Sequence, residues 1–417
     1  MMNIDFNEQY EQEILNFIQK NYGMEVFTPG LERTKPIFFP FIELVKKKNI
    51  KITIIAGTNG KGQSAHTLAY FLEAAKLSTG LWTSPHILSL RERFRFNGRD
   101  IGYEELKSEI YFTQEFLQIN HPGLVVSFYE FLFLVFLRLA FSNQNGIALD
   151  HLILEVGLGG RLDAVNHFEA DCTCITSISR DHQAILGSRY DQILREKIAV
   201  SRPGKTLFTQ FKLKYLNQIT EKYCHENNVF WRPISLSNCS STGYFEENQK
   251  MAQEIFRFLE PNKINLEMGG DIPFFKGRRE EMTFRGNSLI FIGAHNIDGI
   301  RRMIEFFSTQ KPSIMPSKVL LSFSARPTDE LEVMLKTMVE YFGGELKLSL
   351  TSFNHPKALE LSEIIKLEKK FHKINKGLLD FVIDWKSDLI NSKSQNILVC
   401  GSYYFVGEVQ RFILSHS

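Results

Sequence analysis

The 417-residue chain is 43% hydrophobic and 23% charged, the balance of an ordinary globular protein, and its length predicts two domains rather than one core. A formal charge of +2 gives no reason to invoke nucleic acid or an acidic membrane as a partner, so any anionic ligand needs a local site. Five cysteines, Cys172, Cys174, Cys224, Cys239 and Cys400, are odd in number and lack zinc-site spacing, and the acidic start Met-Met-Asn-Ile-Asp-Phe-Asn-Glu has no export pattern; reduced thiols in a cytoplasmic protein are expected.

In chain order, residues 7–21 carry apolar groups at helical spacing (Tyr10, Ile14, Phe17, Ile18), Pro29 to Thr34 reads as loop, and Phe38 to Lys48 is a second amphipathic stretch. Ile52 to Ala56 is a buried-type strand that breaks into Gly57-Thr58-Asn59-Gly60-Lys61-Gly62, with a helix expected over Ala65 to Lys76 and a short strand at Leu81 and Trp82. Strand, glycine turn, helix and strand make a βαβ unit, which predicts a parallel sheet with ligands at the strand carboxyl ends. Gly123 to Phe141 imitates a membrane span, but Glu130 and Arg138 within it favour a helix buried among other elements.

Further strands are expected at Leu152 to Val156 and Cys174 to Ile178, and helices around Leu194 to Ile198 and over Phe245 to Leu259, the latter after a Ser/Asn/Gly-rich loop at 233–245. Phe274 to Glu280 closes this region. From about 281 the alternation restarts: strands Ser288 to Ile292, Val319 to Phe323, Leu346 to Leu350 and Ile397 to Cys400, with helices Ile300 to Phe307, Leu331 to Tyr341 and Lys357 to Glu368 between them. A second, smaller α/β domain is therefore expected over 281–417, after a first over 1–280.

The glycine turn at 57–62 has the outline of a phosphate-binding loop, in which several N–H groups and a helix N-terminus face one anion and Lys61 adds a point charge. It departs from the general pattern, with Ile55 and Gly62 where a glycine and a hydroxyl residue belong, and an ordinary glycine-rich turn is the competing reading. Glu155, a carboxylate at the end of a hydrophobic strand, is a candidate magnesium ligand or a solvated strand-end acid. Ser84, His86 and His182 fall on the same expected edge.

Taken together, Ala-Gly-Thr-Asn-Gly-Lys-Gly (56–62), Thr-Ser-Pro-His (83–86) with Arg91-Glu92-Arg93, Glu-Val-Gly-Leu-Gly-Gly-Arg-Leu-Asp (155–163), Asp-His-Gln (181–183), Arg-Glu-Lys (195–197), Gly-Arg-x-Glu (277–280), Gly-Ala-His-Asn (293–296) and Gly-Ser-x-Tyr-x-Val-Gly-Glu-Val (401–409) resemble the folylpolyglutamate synthase/dihydrofolate synthase family of the Mur ligase superfamily. The resemblance covers nearly the whole chain. It implies a P-loop-type, mostly parallel N-terminal ATPase domain and a smaller Rossmann-like α/β domain. It also implies an ATP-dependent ligase, working as a cytoplasmic monomer, that joins L-glutamate to a pteroate or folate through an acyl phosphate.

By the same resemblance, Gly57, Thr58, Asn59, Gly60, Lys61, Gly62, Gln63 and Ser64 hold the triphosphate, and Asn248, Arg278 and His295 contact ATP, the smaller domain closing over it. Ser84 and Glu155 bind one magnesium, and Glu155, His182 and Lys197 a second, the lysine as a carbamate that supplies oxygen. Lys61, His182 and Lys197 are the expected catalytic set. Glu32, Arg33 and Thr34, with His86, Arg91 and Arg93, stand on the substrate side, and Glu130, in Ser-Phe-Tyr-Glu where the family has Thr-x-Phe-Glu, is a structural support or substrate contact.

Departures are Gln63 in place of a Ser or Thr, Ile292 in place of an aspartate expected at the ribose, Ile297 in place of a proline, and Pro327-Thr328-Asp329 in place of Asp-Lys-Asp. Loss of the ribose carboxylate corresponds to roughly 1.5 to 3 kcal/mol of nucleotide binding. The competing functions are a non-catalytic relative that binds a pterin or nucleotide, a Mur-type ligase for another carboxylate, and a generic P-loop kinase or GTPase.

Overall fold

The structure, a computed structural model, describes residues 6–26, 28, 30–142, 148–235, 243–263, 275–311, 314–343, 346–375, 379–393 and 395–416. Cys239, Pro29, Phe274 and most of the loop expected at 233–245 lie outside the described residues. The chain divides into two compact units, one within residues 1–240 and 245–272, the other within 241–244 and 273–417.

In the first unit, β1 (Lys51–Ala56), β2 (Thr79–Trp82), β3 (Phe94–Phe96), β4 (Arg99–Asp100), β5 (His151–Glu155), β6 (Cys172–Ile175), β7 (Thr206–Thr209) and β8 (Phe230–Pro233) form one sheet in the order β4-β3-β2-β5-β1-β6-β7-β8. β1 is central and pairs parallel with β5 and β6, in register Thr53 to Ile153 and Ile55 to Cys174. Only the pairings β2–β3 and β3–β4 are antiparallel, a short meander continuing from β2 in which β3 alone is reversed. Strands buried on both faces explain the near-continuous apolar runs of β1 and β5.

The apolar segment forms a helix, Phe128–Phe141, whose start is fixed by a capping box between Ser127 and Glu130. Phe131, Phe133 and Phe136 on it are fully buried, each contributing roughly 1.5–3 kcal/mol. Its two charges are both paired. Glu130 accepts from Arg33, and Arg138 bonds Glu109 at 2.5 Å while lying over the rings of Phe112 and Phe116. No helix among the described residues is long and apolar enough to cross a membrane.

Three local expectations change. Leu31 to Thr34 is the first turn of a helix, Leu31–Lys48, that contains Pro36 and Pro40; burial of Thr34, Ile37 and Phe38 on one face outweighs the missing amide donors. The helix after β1 starts at Lys61, four residues early, because Gly60 takes a left-handed conformation at its N-cap. β6 ends at Ile175, so Thr176 to Ile178 belongs to a loop.

The second unit has β9 (Arg278–Phe284), β10 (Asn287–Ile292), β11 (Lys318–Leu321), β12 (Lys347–Leu350), β13 (Leu379–Phe381) and β14 (Asn396–Cys400), in the order β13-β12-β11-β14-β10-β9. All neighbours are parallel except the hairpin β9–β10. The helix expected at Lys357 to Glu368 occupies Leu361–Asn375. Strand β13 and helices Trp385–Asn391 and Tyr403–Ser415 had no clear sequence signal. Both units are therefore α/β with mostly parallel sheets, and both put their loops at strand carboxyl ends.

Candidate active site

The turn after β1 is held open by the turn after β6. Thr58 N donates to Ser177 O at 2.9 Å, Asn59 N to Ser177 Oγ at 2.9 Å, and Thr176 Oγ1 donates to Asn59 O at 2.6 Å. Gly57 has φ +147°, and an added Cβ would lie 2.0 Å from Thr176 Oγ1, so no other residue fits without displacing that anchor. Lys61 heads the following helix and bonds Gly57 O at 3.1 Å and Thr58 O at 3.2 Å, which keeps its ammonium on the loop. Gly57 to Gly62 thus has the parts of an anion cradle: a β-strand, a tight turn, a helix N-terminus and a lysine.

Gln63 and Ser64 face away from that turn toward the helix Tyr244–Leu259. Asn248 Nδ2 donates to Gln63 Oε1 at 2.8 Å, Gln63 Nε2 donates to Phe245 O at 3.1 Å, and Ser64 Oγ lies 3.5 Å from Asn248 O. Asn248 is fully buried and also accepts from Gln210 Nε2 at 3.4 Å. The amide expected at the nucleotide and the residue that replaces the loop hydroxyl therefore bind each other.

Adjacent strand ends bring Ser84 and Glu155 together. Glu155 ends β5 and is 2% exposed, and its Oε2 accepts from Ser84 N at 3.1 Å. The segment after Ser84 is fixed by two acids. Glu92 accepts from Ile87, Leu88 and Ser89 N at 2.8–3.0 Å, and Glu11, from the first helix, accepts from Ser89 Oγ and Leu90 N. Burial pushes the Glu11 carboxyl up, against those hydrogen bonds. Arg93, with no exposed side-chain surface, donates from both terminal nitrogens to Glu25 at 2.9 Å and from Nε to His86 Nδ1 at 3.0 Å. An arginine can only donate, so His86 is neutral at Nδ1 and carries its proton on Nε2.

Lys197, on the helix Tyr190–Ile198, is 3% exposed. Burial first, and the Lys61 charge second, push its pKa down to about 7, while Asp181, Asp163 and Glu196 pull the other way. The glycine loop after β5 is pressed onto this helix: Arg161 N bonds Glu196 O at 2.8 Å, and a Cβ on Gly160 would lie 3.2 Å from Lys197 Cα. His182, with left-handed φ, follows Asp181; its side chain is 53% exposed and its Nε2 lies 4.0 Å from Asp181 Oδ2.

Among the described residues no three His, Cys, Asp or Glu side chains form a metal cluster. The donor set of Ser84, Glu155, His182 and Lys197 nevertheless fits a hard divalent cation if Lys197 supplies oxygen. A buried carboxylate stands at the strand end, and a buried lysine titrating near neutrality is chemically able to become a carbamate.

On the substrate side, Glu32 is exposed on the first turn of its helix. Arg33 bonds both Glu130 oxygens at 2.7 and 2.9 Å, and Thr34 Oγ1 lies 3.0 Å from His167 Nε2. Burial lowers the His167 pKa to about 4. Arg91 stacks on Tyr103 at 3.8 Å and bonds Ile101 O at 3.3 Å. Arg33, Thr34, Arg91 and Arg93 thus all bond within the unit.

In the second unit, His295 Nδ1 lies 3.0 Å from Gly293 O and its ring packs on Tyr403, which Arg278 also approaches at 5.9 Å. Ile292 is buried at the end of β10. Residues that the sequence reading did not single out are Tyr129 and Asp163, which meet beside Glu155, and the Thr176 to Ser179 segment, which shapes the glycine turn. Asp163 sits inside a quoted motif; the others meet their partners only through the fold.

No protein-family model matches the chain. It is 26% identical to the dihydrofolate synthase/folylpolyglutamate synthase of Bacillus subtilis over 92% of this chain and 94% of that protein. Shorter matches are closer: 36% identity to the protein of that name from Buchnera aphidicola (subsp. Acyrthosiphon pisum), over 45% of this chain and 46% of the relative, and 39% to that of Escherichia coli, over 36% and 34%. The fold matches a bifunctional folylpolyglutamate synthase/dihydrofolate synthase solved with Mn, AMPPNP and L-glutamate, at TM-score 0.76 and 22% identity, covering 97% of this chain and 98% of that one. Escherichia coli FolC in complex with DHPP and ADP matches at TM-score 0.74 and 20% identity, over 97% and 98%.

Proposed function

Because the chain belongs to the dihydrofolate synthase/folylpolyglutamate synthase family, we propose that it is an ATP-dependent ligase that joins the α-amino group of L-glutamate to a carboxylate of a pteroate or folate. One observation carries this reading. The glycine turn with Lys61, the Ser84–Glu155 contact and the buried Lys197 belong to neighbouring strand ends of one parallel sheet and the helix packed on them. A phosphate cradle, a buried carboxylate and a near-neutral lysine are the parts that phosphoryl transfer to a carboxylate needs.

A carboxylate is a poor acylating agent. Transfer of the γ-phosphoryl group of ATP to one of its oxygens breaks the bond to ADP and forms an acyl phosphate. The glutamate amine then attacks the acyl carbon and phosphate leaves, so that the amide forms and the amine loses its proton. Lys61 and the N–H groups of residues 57–62 hold the transferring phosphate. Arg93 fixes the ring of His86, two residues after Ser84, by donating to its Nδ1. Arg278 and His295 are the second unit's candidates for contacts to ATP.

Ser84, Glu155, His182 and Lys197 would hold divalent cations, which when bound neutralise phosphate and carboxylate charge and bring the two anions together. The depressed Lys197 pKa supports its carbamate form, since a neutral amine adds carbon dioxide and releases one proton. The relatives solved with Mn and AMPPNP or with ADP support ATP and a divalent metal as ligands here. Two ions, a cytoplasmic location and a monomeric state remain part of this proposal.

The test is phosphate release from ATP with magnesium and glutamate, comparing dihydropteroate, tetrahydrofolate and no acceptor. Release should require an acceptor and fall by about 10²–10³ in Lys61→Ala. Release without an acceptor, or none from folded protein with either acceptor, would overturn the reading.

A further inference from the structure

The carboxyl ends of β2 and β5 are joined by one side chain from outside the sheet. Tyr129, on the helix Phe128–Phe141, is half-buried against them. Its hydroxyl accepts from Trp82 Nε1 at 3.1 Å and from Gly157 N at 3.2 Å, and donates to Asp163 Oδ1 at 3.1 Å, with Glu155 O farther off at 3.4 Å. A phenol has one proton and two lone pairs to use, so the hydroxyl is saturated by partners from three segments. Asp163 closes the ring, accepting from Gly157 N at 2.9 Å, Leu158 N at 3.2 Å and Val165 N at 3.0 Å.

The placement of those partners matters. Trp82 pairs with Leu154 across β2 and β5, and lies two residues before Ser84. Gly157 lies two residues after Glu155. A Cβ on Gly157 would come 2.7 Å from the Tyr129 ring, so the glycine is what lets the phenol reach this point. The resemblance puts phenylalanine at this position, so the hydroxyl is a departure from that pattern.

We propose that Tyr129 is a positioning residue which, through its hydroxyl, clips the ends of β2 and β5 together so that Ser84 and Glu155 keep one spacing for a divalent cation. The proposal rests on the metal-dependent reading above. Outer partners of this kind typically change metal affinity by about 10–100-fold.

The test compares the wild type with Tyr129→Phe, which keeps the ring, and with Trp82→Phe, which removes one donor and keeps the phenol. Mn²⁺ binding is titrated directly in the presence of AMPPNP, nucleotide binding is measured without metal, and the indole N–H resonance of Trp82 is followed without either. In Tyr129→Phe the Trp82 resonance should move and Mn²⁺ affinity should fall about tenfold. Metal-free nucleotide affinity should stay within about twofold, and excess Mn²⁺ should restore the wild-type turnover. Trp82→Phe should shift metal affinity in the same direction, and the double variant should be no worse than Tyr129→Phe alone, as expected for one shared contact.

Unchanged Mn²⁺ affinity despite a moved Trp82 signal would overturn the proposal, as would a parallel loss of metal binding, nucleotide binding and thermal stability, which marks a merely structural role. Failure of the ligase reading would show separately, as wild-type protein that binds Mn²⁺ yet releases no acceptor-dependent phosphate.

Discussion

The two sheets share an architecture and differ in what their carboxyl ends present. In the first unit, polar groups at the strand ends are tied to backbone: Glu92 gathers three successive N–H groups, Asp163 three more, and Thr58 and Asn59 are pinned to the turn after β6. In the second, aromatic rings and cations lie together. His295 packs on Tyr403, His355 stacks on Tyr404 at 4.0 Å, and Lys357 donates to the Tyr404 hydroxyl at 2.9 Å. Where a carboxylate was expected at the end of β10 there is a buried isoleucine, Ile292. The first edge fixes carboxylates and N–H groups in place, which suits the proposed phosphoryl transfer between anions; the second offers donors and ring faces, which suit binding more than bond making.

The largest expected effect tests that contrast directly. Glu155→Gln keeps the size of the side chain and removes its charge, and should lower acceptor-dependent phosphate release by about 10²–10³. His295→Ala, on the second edge, should cost on the order of tenfold, the worth of one hydrogen bond, and should act mainly on KM. Comparable losses in kcat from both would mean that the second edge takes part in bond making, and the contrast would fail.

A smaller effect concerns Lys197 and appears in stability. Burial holds its pKa near 7 in the folded protein against 10.5 for an ordinary lysine. The unfolded chain therefore binds more protons between these values, and stability rises with pH across them. Below about 7 the lysine is charged in both states and the desolvation cost is complete. Lys197→Met should accordingly be more stable than wild type in buffer free of carbon dioxide, with a gain in Tm that is larger near pH 6 than near pH 10. An equal gain at both would mean that Lys197 titrates as an exposed lysine.

Much of the first edge is legible in the sequence for a local reason: β-branched runs ending in glycine turns mark β1 and β5, and the residues that follow are placed on one edge by the parallel topology. The first turn of the helix from Leu31 reads as loop because Pro29 and Gly30 just before it punctuate the chain locally, while its buried face depends on partners far along the chain. Tyr129 and Trp82 are 47 residues apart and Gln63 and Asn248 are 185 apart. Contacts at that separation leave no periodicity to read. Gln63 could be recognised as a departure from the family, yet its partner could not.

That departure yields the smallest effect. Gln63 is 9% exposed, and its carboxamide joins the first turn of the helix after β1 to Phe245 and Asn248 on another helix of the same unit. Serine at this position is too short to reach Asn248, whose amide nitrogen would lose its bond to Gln63 Oε1 in a buried place, a cost of about 1–3 kcal/mol. Gln63→Ser should therefore lower Tm by several degrees, while the KM for ATP stays within about threefold, because the glycine turn is anchored by Thr176 and Ser177 rather than by Gln63. A Tm at the wild-type value together with ATP binding tightened tenfold would reverse the assignment: glutamine would then be a lost contact to the nucleotide, and the first edge would be as diverged as the second.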